Sequence, residues 1–278
     1  MFKKAAISVG IGLALSAPTY AQQYIGDVYK WEVDGYGSVG EYSGNFEDTD
    51  RDGFGVEGTY YFKGGVNNTK GPFGQAAFLD RASDITAFYE YAEIDDNGID
   101  VDGDKYGVSG RWVTDGGGWI LDGSYARSEP LDAEIDEFTI GAGKYIFENT
   151  TLVGSYWNGD ADDGGDTDGW AVGLEHFWKF SNLNGIKLEG NYGFVNVDDA
   201  DDIDIYNLGA TWYVTQRLAF GGSYGNFDAG GIETDRYSAF AEYFIIRGIA
   251  ANLSYTHEEL DDTDLEYDEV SLGVTLRY

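Results

Sequence analysis

From residue 85 onward the chain alternates two kinds of connection between stretches of about ten residues. One kind is acidic: EIDDNGIDVDGD from Glu93, EPLDAEIDE from Glu129, DADDGGDTD from Asp160, DDADDID from Asp198, DAGGIETD from Asp228 and EELDDTDLEYDE from Glu258, with EDTDRD from Glu47 as an earlier member. The other kind is short: DGGG at 115, ENT at 148, SNLNG at 181, TQR at 215 and IRG at 246. Acidic connection, strand, short turn, strand is therefore the repeating unit, and a chain built from it is a string of hairpins.

Within each stretch the side chains alternate, the period-2 mark of a sheet with two different faces. In WAVGLEHFWKF, Trp170, Val172, Leu174, Trp178 and Phe180 share one face, and Ala171, Gly173, Glu175 and Lys179 the other. In VSLGVTLRY, Val270, Leu272, Val274, Leu276 and Tyr278 oppose Ser271, Gly273, Thr275 and Arg277. A soluble sandwich packs two apolar faces against each other with large aliphatic residues. Here the apolar face is instead ringed by aromatics at both ends. Phe46, Phe54, Tyr91, Tyr106, Tyr125, Phe138, Tyr156, Trp170, Phe194, Tyr206, Tyr224, Tyr237 and Tyr255 lie toward the acidic connections, and Phe62, Trp112, Trp178, Trp212, Tyr243 and Tyr278 toward the short turns. The step from Trp170 to Trp178 spans about 26 Å along a strand, or about 20 Å after tilt, close to the roughly 25 Å apolar band of a transmembrane barrel.

The expected fold is all-β: a transmembrane antiparallel up-and-down β-barrel. Strands are expected at 33–46, 53–63, 85–95, 104–114, 118–128, 136–147, 150–159, 169–180, 185–197, 204–214, 218–227, 236–246, 248–258 and 268–278. That makes about fourteen, with twelve or sixteen as the alternatives. An even number puts both chain ends on the short-turn side, the periplasmic side of such barrels, and the acidic connections outside.

Lys3 and Lys4 ahead of AAISVGIGLALS, then APTYAQQ, form a secretory signal peptide over residues 1–21, leaving 22–278 as the barrel domain. No cysteine is present to staple the fold or carry a lipid. A formal charge of −33 repels phosphate backbones and excludes nucleic acid as a partner, while an aromatic content of 16% argues against disorder.

The terminal strand VSLGVTLRY resembles the assembly signal of Gram-negative outer-membrane barrels, with Tyr278 where Phe is commoner. The chain as a whole, including YYFKGGVNNTKGPFGQAAFLDRAS at 60–83, resembles the general porins of gammaproteobacteria. In size, acidity and strand number it is also similar to monomeric fourteen-stranded oligosaccharide porins of the outer-membrane protein G type. The resemblance implies a location in the Gram-negative outer membrane and contact with its lipid and lipopolysaccharide. It further implies insertion by the barrel assembly machinery through the last strand, and passage of small hydrophilic solutes. It leaves monomer and trimer both open.

Alternation assigns Glu41, Glu57, Glu90, Arg111, Asp122, Glu175, Lys187, Glu189, Glu242 and Arg277 to the lumen, the first three forming an acidic stripe that favours cations. No cofactor, dedicated metal site or catalytic residue is expected. DTDRDG from Asp48 opens like a calcium loop, but Thr59 stands where a bidentate Glu is required. Only His176 and His257 could serve as a base. His176 is expected to pack among aromatics. His257, beside Glu258 and Glu259, is expected to be a solvated rim residue, the alternative being the Asp/His pair of an omptin-like hydrolase; a closed structural or adhesive barrel is the third reading. One connection breaks the pattern: residues 64–84 lie at the short-turn end and are several times longer than their counterparts, with PFGQAAFL offering a helical turn after Pro72. This link folds either into the mouth or outside it as a flap.

Overall fold

The computed structural model describes residues 27–278 except 44–48, 97–98, 131–133, 162–165, 182, 198–201, 230–231 and 261–264. The signal peptide, Phe46, Asp48 and the tips of the acidic connections therefore lie outside the described residues.

Two short strands, β1 (Val28–Tyr29) and β4 (Val66–Asn67), pair with each other apart from the main sheet. The main sheet comprises β2 (Trp31–Ser43), β3 (Thr49–Tyr61), β5 (Asp84–Asp96), β6 (Ile99–Val113), β7 (Trp119–Pro130), β8 (Ile135–Phe147) and β9 (Thr150–Ala161). It continues through β10 (Thr167–Lys179), β11 (Gly185–Val197), β12 (Ile203–Tyr213), β13 (Leu218–Ala229), β14 (Ile232–Ile246), β15 (Ile249–Leu260) and β16 (Leu265–Arg277). These fourteen strands form one closed antiparallel barrel, each pairing with its sequence neighbour and β16 returning to β2 in a register that sets Arg277 opposite Glu32. Closure leaves no unpaired sheet edge, the condition for crossing a membrane with strands. The strand count is the one the hairpin repeat predicts.

Several strands run further into the acidic runs than alternation suggested. β6 begins at Ile99 rather than 104, and β14 at Ile232 rather than 236. Carboxylates are tolerated there because a hairpin standing above the apolar band is wet on its outer face. The boundary is marked by hydrogen bonds between outward tyrosines and outward carboxylates: Tyr125 to Asp136 at 2.7 Å, Tyr224 to Asp235 at 2.7 Å and Tyr106 to Glu129 at 3.1 Å. Each ring is apolar in its body and polar at its tip, which suits an interface. Below them Leu174, Trp178, Leu208, Trp212 and Leu253 stand exposed on the same outer face.

The link turns into the barrel. Lys63, Gly64 and Gly65 take positive φ in succession and reverse the chain; at Gly65 a side chain would strike the Tyr29 carbonyl. After β4, Pro72 precedes a 3-10 turn, Phe73–Gln75, and a short helix α1, Ala76–Asp80, which ends at Arg81 in the left-handed conformation. The buried apolar clusters of the molecule lie where this segment meets inward side chains. Val66 and Ala76 pack with Tyr29 and Tyr61, and Phe73 with Phe244 and Ala250. Phe78 packs against Val113, Ile120 and Tyr145, and together with Leu79 against Phe177, Tyr213 and Ala219. The partners come from β3, β6, β7, β8, β10, β12, β13, β14 and β15, so the segment touches most of the circumference. The flap reading is thereby replaced by the inward one.

Candidate functional site: the lumen and its inward link

Cross-strand partners share a face, so one secure assignment propagates around the barrel. Glu175 is inward, because Gln75 of the link donates to it at 3.0 Å. Glu189 lies opposite Glu175, and Gly209 opposite Glu189. Glu242 is inward beside Gly74, where an added Cβ would sit 2.5 Å from its Oε2. Asp122 lies opposite Arg111, with 3.7 Å between their charged atoms. Lys187 pairs with Glu189 at 2.9 Å along its own strand. Glu57 lies opposite Asp34, and Glu90 opposite Gly55.

Glu41 does not belong to this set. It lies opposite Asp268, whose carboxylate bonds to the outward Tyr255 and His257, and so Glu41 is on the outer face. In β2 both phases carry apolar residues, Val33 and Val39 on one and Tyr36 and Tyr42 on the other, so composition gives no parity. The inward phase holds Glu32, Asp34, Tyr36 and Ser38 instead, and the acidic stripe runs from Glu32 and Asp34 through Glu57 to Glu90.

Arg277 is the most enclosed of these charges, with 6% of its surface exposed. Its guanidinium pairs with Glu32, donates to the Phe73 carbonyl at 2.8 Å and lies over the rings of Tyr29 and Phe244 at 4.8 and 4.7 Å. It ties the link to the wall. Gln75 does the same opposite, receiving the Tyr213 hydroxyl at 2.9 Å while donating to Glu175. Further ties run from Lys179 to the Lys70 carbonyl at 2.5 Å, from the Phe73 amide to the Gln216 carbonyl at 2.9 Å and from Tyr145 to the Phe78 carbonyl at 3.0 Å. The two register shifts of the barrel fall at Tyr145/Phe147 and Phe244/Ile246, next to the aromatic residues that grip the link. A shift of this kind re-aims a side chain.

The sequence could have located the link but not its grip. Gln75, Tyr213 and Tyr29 carry no pattern that marks them as its contacts, and the length of the connection points to the link alone.

Above the link, cavities with charged side chains in their lining open among the described residues. One, of about 380 Å³, is lined by Arg111, Glu175 and Glu189 among others. Another, of about 370 Å³, includes Glu90 with Arg51, Lys105, Arg236 and Glu269. Large inward side chains are folded flat against the wall over glycines of the neighbouring strand. The Tyr36 ring lies where a Cβ on Gly55 would be, and Phe88 comes within 2.7 Å of that position on Gly107. This keeps the bore wide without removing side chains.

Neither histidine faces the lumen. His176 shares a hydrogen bond with Thr150 at 2.7 Å and meets the Trp178 ring edge-on at 4.3 Å. His257 sits between Asp268 at 2.9 Å and Glu259 at 3.2 Å on the outer face of the acidic end. Among the described residues no group of three or more His, Cys, Asp or Glu side chains could hold a metal ion.

A family model described as "Putative general bacterial porin" matches residues 28–186. The fold is similar to that of the Acinetobacter baumannii outer membrane protein Omp33, at a TM-score of 0.64 and 21% identity over 91% of this chain and 100% of that one. It is similar also to the TodX deltaS2S3 mutant monoaromatic hydrocarbon channel, at a TM-score of 0.53 and 10% identity over 95% and 93% of the two chains. A search of curated proteins gives no match.

Proposed function

This chain belongs to the family of general bacterial porins and resides in the Gram-negative outer membrane, and on that premise we propose that it passes small hydrophilic solutes by passive diffusion, with preference for cations. Glu57, Glu90, Asp122, Glu175, Glu189 and Glu242 line the path together with Arg111 and Lys187, and the link narrows it at the periplasmic mouth. The observation that carries the reading is the closed wall whose inward phase is polar and charged around open cavities, where fourteen strands enclose more space than side chains fill. Cation preference rests on the stripe Glu32, Asp34, Glu57 and Glu90 and on the excess of inward carboxylates over the inward Arg51, Lys105, Arg111, Lys187 and Arg236, because a passage with a net negative lining focuses its potential on entering cations. The outward tyrosine and carboxylate belt suits the headgroup zone of lipopolysaccharide. The alternating β16 with its terminal Tyr278 suits recognition by the assembly machinery.

The reading is tested by the reversal potential of the purified protein in a planar bilayer under a tenfold KCl gradient. Cation preference is expected in dilute salt, fading in concentrated salt as the Debye length falls from about 10 Å at 0.1 M to about 3 Å at 1 M. Anion preference in dilute salt would overturn the selectivity, and absence of any current would overturn the channel.

A further inference from the structure

We propose that the upper lumen contains a binding site for small zwitterions, solutes of amino-acid to dipeptide size that carry an ammonium at one end and a carboxylate at the other; this deepens, and rests on, the reading of the barrel as a diffusion channel. The site is the cavity of about 370 Å³ that joins β2, β3, β5 and β6 to β14 and β16. Its volume lies within the range of small-molecule pockets.

Two carboxylates of this cavity are held in place by tyrosines. Tyr36 donates to Glu90 at 2.9 Å, and Tyr267 donates to Glu269 at 2.7 Å. Both rings lie flat because glycine stands beside them: a Cβ on Gly40 would be 2.7 Å from the Tyr267 hydroxyl, and one on Gly55 would collide with the Tyr36 ring. Each hydroxyl engages one carboxylate oxygen, so an ammonium has a fixed acceptor to approach.

The cationic side is Arg51. Its guanidinium lies over the Tyr267 ring at 5.6 Å and gives one hydrogen bond to that hydroxyl, at 3.4 Å. Among the described residues no carboxylate is within ion-pair distance of it, whereas Lys105 and Arg236, which line the same cavity, are paired with Glu137 at 2.6 Å and with Glu258 at 2.5 Å. A guanidinium has five N–H donors, and its planar fork fits a carboxylate with two parallel bonds. Arg51 is therefore the member of the cationic set whose charge has no carboxylate partner among the described residues.

The mixture of signs selects the ligand class. A simple anion that reached Arg51 would face Glu90 and Glu269, and a simple cation that reached those glutamates would face Arg51, Lys105 and Arg236. A solute with both charges meets both requirements, and discrimination arises as much from the repelled competitors as from the bound one. The site lies above the link, so a solute meets it before the constriction.

The test is calorimetric titration of the purified full-length protein with glycylglycine, against propionate, propylammonium and erythritol, in parallel with KCl conductance in planar bilayers. Glycylglycine should bind with a dissociation constant about tenfold below that of each control, and Arg51→Gln and Glu90→Gln should each weaken it by about tenfold, the usual scale for one charge-assisted contact. Erythritol should not respond to either substitution. Heat-modifiable electrophoretic mobility of both variants checks that the barrel has formed, and Arg51→Lys, which keeps the charge but not the fork, should recover part of the affinity. If glycylglycine binds no better than propionate or propylammonium, or if neither substitution changes its binding, the site does not exist as described. KCl current without selective binding removes this site and leaves the channel; selective binding without KCl current keeps the site and removes the channel.

Discussion

The side-chain amide of Gln75 bridges two strands of the barrel, donating to Glu175 on β10 at 3.0 Å and accepting from Tyr213 on β12 at 2.9 Å. With 4% of its surface exposed, it is a buried polar group whose bonds are both made, and such groups fix one arrangement rather than several. Gln75→Ala removes both bonds at a cost of about 1 kcal/mol each. Phe73→Ala, which empties the contact with Phe244 at 5.4 Å, costs about 3 kcal/mol. Single-channel recordings are expected to show noisier and larger currents in both variants, more so for Phe73→Ala. Identical traces would mean that the link holds its place by other contacts.

Removal of residues 68–80 should change conductance more than trimming any one acidic connection. The link is the segment that meets most of the circumference, whereas the acidic connections crown individual hairpins. Equal currents with and without it would place the ion path elsewhere.

Glu57 and Glu90 face inward and Glu41 outward, which gives the selectivity prediction an internal control. Glu57→Gln with Glu90→Gln should move the reversal potential in dilute KCl toward zero. Glu41→Gln should move it far less than the inward pair does, because an exposed charge on the far side of the wall is screened by solvent over about 10 Å at 0.1 M salt. A larger effect from Glu41 than from the inward pair would reverse the face assignment of β2.

The chain has no cysteine, so single cysteines report topology cleanly. A membrane-impermeant maleimide applied to intact cells should label Asp166→Cys between β9 and β10, and should leave Thr215→Cys between β12 and β13 unlabelled until the cells are opened. Labelling of position 215 from outside would invert the barrel.

Arg277→Met should loosen the link and the seam together. It leaves Glu32 enclosed without its partner, and breaking one side of a buried pair costs about 3–5 kcal/mol. The temperature at which the folded band disappears in semi-native electrophoresis should fall. An unchanged transition would mean that water reaches Glu32 readily.

Most of the fold was legible because two periodicities agreed: alternation along each strand, and alternation of acidic and short connections between strands. The strand count and the short-turn ends follow from them. Glu41 was misassigned where the first signal fails, since β2 carries apolar residues on both phases and its facing is set only by its partners in β16 and β3. The same error hid Asp34 and Tyr36. Strand lengths were underestimated because carboxylates read as loop, although a solvated outer face accepts them. The grip on the link was illegible for a different reason: Gln75 meets Glu175 and Tyr213 at separations of 100 and 138 residues, and no local pattern encodes such a meeting.

The seat of the link is made jointly by the two ends of the chain. Residues 28–29 pair with residues 66–67, the Tyr278 backbone pairs with Trp31, and Arg277 reaches both Glu32 and Phe73. Arg277 faces Glu32 only across the pairing of β16 with β2, so the closing seam of the circle and the hold on the Phe73 carbonyl share one side chain, and whatever parts the first and last strands also releases the link on that side.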